Sequence, residues 1–299
     1  MASAHDGTRI LGFEFVEYAA PDPGAFGAYL ARFGFAPVAR HRSKDVVLYR
    51  QRAINIIVNS DVESFEQSYS HLRGVRICAI ALRVADAAAA YDQALANGAW
   101  EVESNVRVME VNIPGIAGAG ETVTYFVDRF GQPSIYDIDF VPMRHASVGD
   151  ASLSRIHSVT YNVRDGRARE CADFSVSVLG LEEERAAAST AHGASTTAVH
   201  TADGSVRLVF SEPLAKDKAP GTGALFESAQ HVTLESPDID ATARALTARG
   251  IAIERLPAGD RETRMVAGPP EALRHASRPH AALPPADAVF FEIVATRAK

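Results

Sequence analysis

Two side chains in this sequence have the chemistry to hold a cation together: His231 in "SAQHVTLE" and Glu292 in "VFFEIVA". An imidazole and a carboxylate can bind a divalent metal, or can act as an acid–base pair without one. A glutamate that follows two phenylalanines is costly to bury unless a cation meets it. Glu292 therefore points either to a pocket or to a structural pairing with an arginine. A third position lies in "RIHSVTYNV", residues 155–163, where His157 and Ser158 are adjacent in an alternating stretch. Neighbouring strand residues face opposite sides. If Ser158, Thr160 and Asn162 face inward, His157 faces outward, and it becomes a ligand only if a β-bulge shifts the register. A triad of two histidines and one carboxylate would hold Fe(II) or another divalent metal with positions left open. His231 and Glu292 are two of its three ligands. His200, His275 and His280 are further candidates, most simply read as loop histidines.

These residues need elements to position them, and the chain repeats one plan four times. "FEFVEYAAPDPGAFGAYLARFGF", "RICAIALRVADAAAAYDQALANGA", "IHSVTYNVRDGRARECADFSVSVLGL" and "QHVTLESPDIDATARALTARGIAI" each join a period-2 strand to a helix. The helix opens near an Asp and closes at a Gly. Short strand candidates lie between them, among them "DVVLYRQ", "AINIIVN", "TVTYFVD", "SIYDIDFV" and "AVFFEIVAT", and "TADGSV" reads as a hairpin. The predicted fold is α+β with two domains, 1–146 and 147–299, joined through the small, polar stretch "RHASVGDASLSR". Each domain pairs two βαβββ units into a curved mixed sheet around a pocket, with the helices outside. Anchoring the repeats on the strand-to-Asp turn aligns Phe15, Ala79, Ser158 and His231, and anchoring on the last strand sets Asp137 opposite Glu292. The first domain then offers Phe15, Ala79 and Asp137, which is no metal site. The second holds the candidate site.

Composition narrows the partners. The chain has 299 residues, 47% apolar and 22% charged, with a net charge of −7. That balance suits a globular protein and argues against nucleic acid, which needs clustered Lys and Arg. No apolar run reaches the ~20 residues of a membrane span. No secretory signal is visible, so the expected compartment is the cytoplasm. Cys78 and Cys171 are the only cysteines and read as small apolar core residues.

At these residues the chain resembles a known family. "GFEFVEYAAPDPG", "RFGFAPVARHRSKDVVLYRQRAINIIVN", "ICAIALRVADAAAAYDQALANGA" and "YFVDRFGQPSIYDIDFV" are similar to the N-terminal domain of bacterial 4-hydroxyphenylpyruvate dioxygenase. "IHSVTYNV", "TADGSVRLVFSEP", "QHVTLESPDI" and "VFFEIV" continue the likeness through the second half. The family, with its sister hydroxymandelate synthase, belongs to the vicinal oxygen chelate superfamily, which shares the glyoxalase-like fold. The resemblance implies a structural first domain, a homo-oligomer, and iron held in the second domain by two histidines and a glutamate. The second histidine falls on His231, the glutamate on Glu292, and the first histidine on Ser158. Ser211 in "FSEP" stands where the family has an asparagine, and the loop after it contains no glutamine. A further substrate-facing glutamine strand is hard to place in "RMVAGPPEALRHASRPHAALPP". The chain stops seven residues after Glu292, so the family's closing C-terminal helix is not expected.

Three functions follow. One is an iron dioxygenase acting on an aryl α-keto acid at an altered metal site. Another is a non-oxidative enzyme for a small carbonyl substrate, using a metal or the His231–Glu292 pair. The third is a metal-free homologue that binds a small molecule or a partner. Catalysis is assigned to His231 and Glu292, and substrate contacts to Ser158, Thr160, Asn162, Ser211 and Phe291. The metal ligands are His231 and Glu292, with His157 if the register shifts.

Overall fold

The computed structural model describes residues 8–61, 74–103, 110–144, 150–184, 194–213, 227–256, 262–276 and 289–296. Two eight-stranded mixed sheets carry the chain, as expected for an α+β protein of two domains. The first sheet contains β1 (Ile10–Ala19), β2 (Ala36–His41), β3 (Val46–Gln51), β4 (Ile54–Asn59), β5 (Arg76–Val84), β6 (Gly115–Ala117), β7 (Val123–Val127) and β8 (Phe140–Pro142). Its order is β6-β7-β5-β1-β4-β3-β2-β8. The second contains β9 (Arg155–Asn162), β10 (Glu182–Glu183), β11 (Ala194–His200), β12 (Arg207–Pro213), β13 (Ser228–Glu235), β14 (Ala252–Arg255), β15 (Glu262–Gly268) and β16 (Phe291–Thr296). Its order is β10-β11-β12-β9-β13-β16-β15-β14. The expected boundary between residues 146 and 147 lies outside the described residues.

The repeat helices form where their caps predict. In α1 (Pro23–Arg32), Asp22 accepts from the amide of Ala25 at 2.9 Å. In α2 (Ala87–Ala96), Asp86 accepts from Ala89 at 3.0 Å. Each carboxylate satisfies an amide that the first turn leaves bare, worth about 1 kcal/mol. A five-residue helix, α3, spans Ile135–Asp139. The next, α4 (Arg167–Leu179), has no side-chain cap of its own, and Glu212 of β12 instead accepts from the amides of Gly166 and Ala168. In α5 (Ile239–Ala248), Asp238 accepts from Ala241 at 2.9 Å. A short α6 covers Pro270–Ala276.

Of "SIYDIDFV", Ile135–Asp139 is helical and only Phe140 and Val141 enter a strand, β8, which pairs with β2. Ser134 and Asp137 form a capping box, with the Ser134 hydroxyl accepting from the Asp137 amide while the Asp137 carboxylate accepts from Ser134. That closes α3 over residues which alternate like a strand, and Asp137 lies on this helix. The strand parallel to β5 is β7, as β16 is parallel to β13. The first-half counterpart of Glu292 is therefore Tyr125.

The repeat helices α1, α2, α4 and α5 pack on one face of the sheets. Val159, Tyr161, Phe210, Val232, Leu234, Ile293 and Met265 face that apolar layer, as do the buried, free Cys171 and its neighbours. The opposite faces of the two sheets differ. In the first half this face is filled by Phe15, Leu48, Ile57, Ala81, Val127, Ile135, Tyr136 and Phe140, so α3 and β8 plug it with side chains. In the second half the same face is polar. The halves meet closely at Gly120, whose φ of +63° is in the left-handed region. A Cβ there would lie 2.7 Å from the backbone of Ser228 at the start of β13, so only glycine fits.

Candidate active site

The polar face of the second sheet collects the candidate residues through strand pairing. His231 pairs with Thr160 and Thr233 with Ser158 across β13 and β9, and Thr233 pairs with Glu292 across β13 and β16. Val266 pairs with Glu292 across β15 and β16. Period-2 alternation then sets Ser158, Thr160 and Asn162 on one face with His231, Thr233, Glu292, Arg264 and Glu262. Ser211 pairs with Asn162 and joins the same wall.

Glu292 is buried and fully engaged. Its Oε2 accepts from the Thr233 hydroxyl at 3.0 Å and lies 3.4 Å from Nε2 of His231. Its Oε1 accepts from Nη1 of Arg264 at 2.9 Å. Burial pushes the Glu292 carboxyl upward, but His231, Arg264 and Thr233 outweigh it and hold it far below the usual carboxylate range. The arginine partner that the sequence allowed for Glu292 is thus present, and it is Arg264.

His231 is fixed from both sides. Its Nδ1 lies 3.1 Å from Oε1 of Gln230. On its other side Nε2 faces Oε2 of Glu292 at 3.4 Å. Either a proton or a metal ion can lie between these two atoms. The ring of Phe290 lies against the imidazole, with centroids 4.8 Å apart.

His157 sits in an irregularity of β9. Leu234 pairs with Ile156 and Thr233 with Ser158, so His157 is an extra residue with no opposite number on β13. Such a bulge can turn two successive residues to one side. Nδ1 of His157 lies 3.4 Å from Oγ of Ser158, and Nε2 lies 3.7 Å from Oε1 of Glu262. In a flat sheet β9 and β15 would stand about 14 Å apart, three strand spacings. The contact shows that the sheet curls and that His157 reaches across its open side. Its partner there is Glu262, which is also held by Nε of Arg264 at 2.9 Å. Burial lowers the His157 pKa, and Arg207, Arg155 and Arg264 add to that against the opposing pull of Glu262.

Phe291 does not reach this wall. It faces the helix side, fully buried against Phe33 at 4.9 Å between ring centroids, with Tyr29 and Phe35 beside it. The aromatic residue at the site is Phe290. His200 belongs to β11, with Nδ1 2.9 Å from the Thr201 carbonyl. His280 lies outside the described residues, as does the side chain of His275. Sequence reasoning missed Arg264, Glu262, Gln230, Thr233 and Phe290. The alternation Glu262-x-Arg264 before the apolar "MVAG" was the available signal for the first two.

The family implies a metal, and the donors can be tested against it. Among the described residues no group of three or more His, Cys, Asp or Glu side chains could hold an ion. Among the described residues the triad is therefore not assembled. The Nε2–Oε2 pair does fit an ion held through two protein donors, because ligands about 2.1 Å from one metal stand roughly 3 Å apart.

Known proteins bear on the same regions. Residues 5–141 match the family described as hydroxyphenylpyruvate dioxygenase, N-terminal. Residues 155–269 match the glyoxalase/bleomycin resistance protein/dioxygenase superfamily. A 4-hydroxyphenylpyruvate dioxygenase of Pseudomonas sp. (strain P.J. 874) is 37% identical over 245 residues, which cover 77% of this chain and 67% of that protein. Hemolysin VllY of Vibrio vulnificus (strain CMCP6) is 35% identical, covering 80% of this chain and 71% of its own. A mutant 4-hydroxymandelate synthase from Streptomyces coelicolor shares the fold, with a TM-score of 0.75 at 17% identity, over 97% of this chain and 94% of its own. No helix among the described residues is long and apolar enough to cross a membrane.

Proposed function

The chain belongs to the 4-hydroxyphenylpyruvate dioxygenase family of the vicinal oxygen chelate superfamily, a dioxygenase-like oxidoreductase by that membership, and from this premise we propose that it acts on an aryl α-keto acid at an altered metal site in its second domain. The observation that carries the reading is the facing pair of His231 Nε2 and Glu292 Oε2. These two atoms would hold Fe(II) or another divalent metal. Bound there, the ion would polarise the oxo group of the acid and, as iron, supply redox chemistry with dioxygen.

The protein's own residues prepare the donors. Gln230 orients the ring of His231, and Arg264 with Thr233 fixes the carboxylate of Glu292. Outer partners of this kind orient metal ligands and hold their protonation state. Ser158, Thr160, Asn162 and Ser211 offer hydroxyl and amide groups to a polar substrate along β9 and β12. Phe290, itself buried with Val266 and Ala272, backs the His231 imidazole with an apolar ring. Ser158 is the main alteration, a hydroxyl in the strand position that the family gives to its first histidine.

The test is metal analysis of the purified protein, followed by oxygen uptake with 4-hydroxyphenylpyruvate and phenylpyruvate. One ion per chain, lost in His231→Ala, with acid-dependent oxygen consumption supports the reading. Ser158 favours a second reading, a non-oxidative reaction of a small carbonyl compound at the same two donors. Turnover of the acid without oxygen uptake would select it.

A further inference from the structure

Arg264 enters the site with donors to spare. Its Nε and one Nη2 hydrogen go to Oε2 of Glu262, and one Nη1 hydrogen goes to Oε1 of Glu292. A guanidinium has five N–H groups. Among the described bonds two are left, one on each terminal nitrogen. A carboxylate can bind an arginine through both oxygens by taking one hydrogen from each terminal nitrogen. The head group is also reachable, since the side chain is 29% exposed while that of Glu292 is 10% exposed.

We infer that Arg264 binds the carboxylate of the acidic substrate and so selects 2-oxo acids over neutral carbonyl compounds. The inference rests on the function proposed above. In a 2-oxo acid the carboxylate is bonded directly to the oxo carbon, so its receptor must stand beside whatever holds the oxo group. Arg264 stands there, because it hydrogen-bonds the same Glu292 whose other oxygen faces His231. Charge agrees with position. Glu262, Glu292 and Arg264 sum to one negative charge, a divalent ion makes that one positive, and a monoanionic acid brings it to zero. A neutral ketone would leave an uncompensated charge in a half-buried site.

Arg207 and Arg155 are the competing cations near His157. Arg207 is turned to Glu184, with Nε at 2.9 Å and Nη2 at 2.8 Å, and Arg155 is paired with Glu235. Neither touches Glu292 among the described contacts. Arg207→Gln is therefore the matched comparison.

The experiment measures binding of phenylpyruvate and of phenylacetone, which has the same skeleton without the carboxylate, to cobalt-loaded protein without oxygen. The readout is the ratio of the two dissociation constants, which cancels any loss of folded or metal-loaded protein. The wild type should prefer the acid by tenfold or more, the strength of a charged bidentate contact. Arg264→Gln should abolish the preference and Arg264→Lys should retain part of it. A preference that survives in Arg264→Gln, or that disappears in Arg207→Gln instead, overturns the inference alone. Wild-type protein that takes up cobalt but binds no phenylpyruvate overturns both the inference and the proposed function.

Discussion

The guanidinium of Arg264 donates to Oε1 of Glu292 at 2.9 Å, and its opposite edge is held by Glu262. One arginine on β15 thereby ties the candidate metal donor to the carboxylate that faces His157. Glu292 keeps its ionised form in a buried position because of this cation, together with His231 and Thr233. Removing one member of such a pair strands the other, which costs about 3 to 5 kcal/mol when both are buried. Arg264 retains Glu262 and is partly exposed, so Glu292→Ala should cost about 2 kcal/mol, measured by urea unfolding at pH 7. The double variant Glu292→Leu/Arg264→Leu should lose less than the two single changes added together. Additive losses would show that the pair is not coupled.

Phe291 makes a prediction about the joint between the halves. Its ring is fully buried among Phe33, Tyr29 and Phe35 of the first half, although it belongs to the last strand of the second. Phe291→Ala removes a large side chain from a site that cannot collapse without moving both domains, and should cost about 3 to 5 kcal/mol. Phe290→Ala should also cost stability, because its ring is buried with Val266 and Ala272, and should in addition weaken arylpyruvate binding by loosening the His231 it packs against. Calorimetry of both variants, with a binding titration of the second, separates the two roles.

Those adjacent phenylalanines also show what could be read from the chain. The Asp caps at Asp22, Asp86 and Asp238 were legible because a cap is a local event, decided within three residues. The wall of Ser158, Thr160 and Asn162 was legible because alternation alone sets it. Which of Phe290 and Phe291 faces the wall depends on the register of β16 against β13, which no short stretch encodes. Asp137 was misplaced for a related reason. "IYDIDFV" alternates like a strand, and the reciprocal bonds of Ser134 and Asp137 outweigh that pattern. The irregularity at His157 arises from pairing with β13, some 75 residues away in sequence. Arg264 was hidden because its meaning lies in Glu292 on the next strand.

His157 should leave a mark on the pH dependence of stability. Its folded pKa is lowered from 6.5, by burial first and then by Arg207, Arg155 and Arg264, with Glu262 opposing. Below pH 6.5 the unfolded chain takes up a proton that the folded chain refuses, so stability falls as pH falls. Above that pH the histidine is neutral in both states and contributes no slope. Glu292, lowered from 4.5, adds its own loss below pH 4.5. Chemical denaturation from pH 8 to 4 should show a decline starting near 6.5 that is absent in His157→Gln, while the decline below 4.5 persists. An unchanged upper decline in that variant would assign it to another group.

Ser158 offers the sharpest chemical test of the altered site. Its strand position pairs with Thr233, which itself hydrogen-bonds Glu292, so an imidazole introduced there starts one strand from His231 and two from Glu292. Ser158→His would supply the third donor that a facial triad needs. The residue is buried and touches His157, so the larger side chain requires the bulge to give way. Pairing it with His157→Ala makes that room. The double variant should bind cobalt at least tenfold more tightly than the wild type, read by competition with a chelator. In both proteins affinity should rise with pH, because metal ligands bind in their deprotonated forms. Equal affinity in the two proteins, with metal content still dependent on His231, would mean that the third position is already filled from elsewhere in the chain.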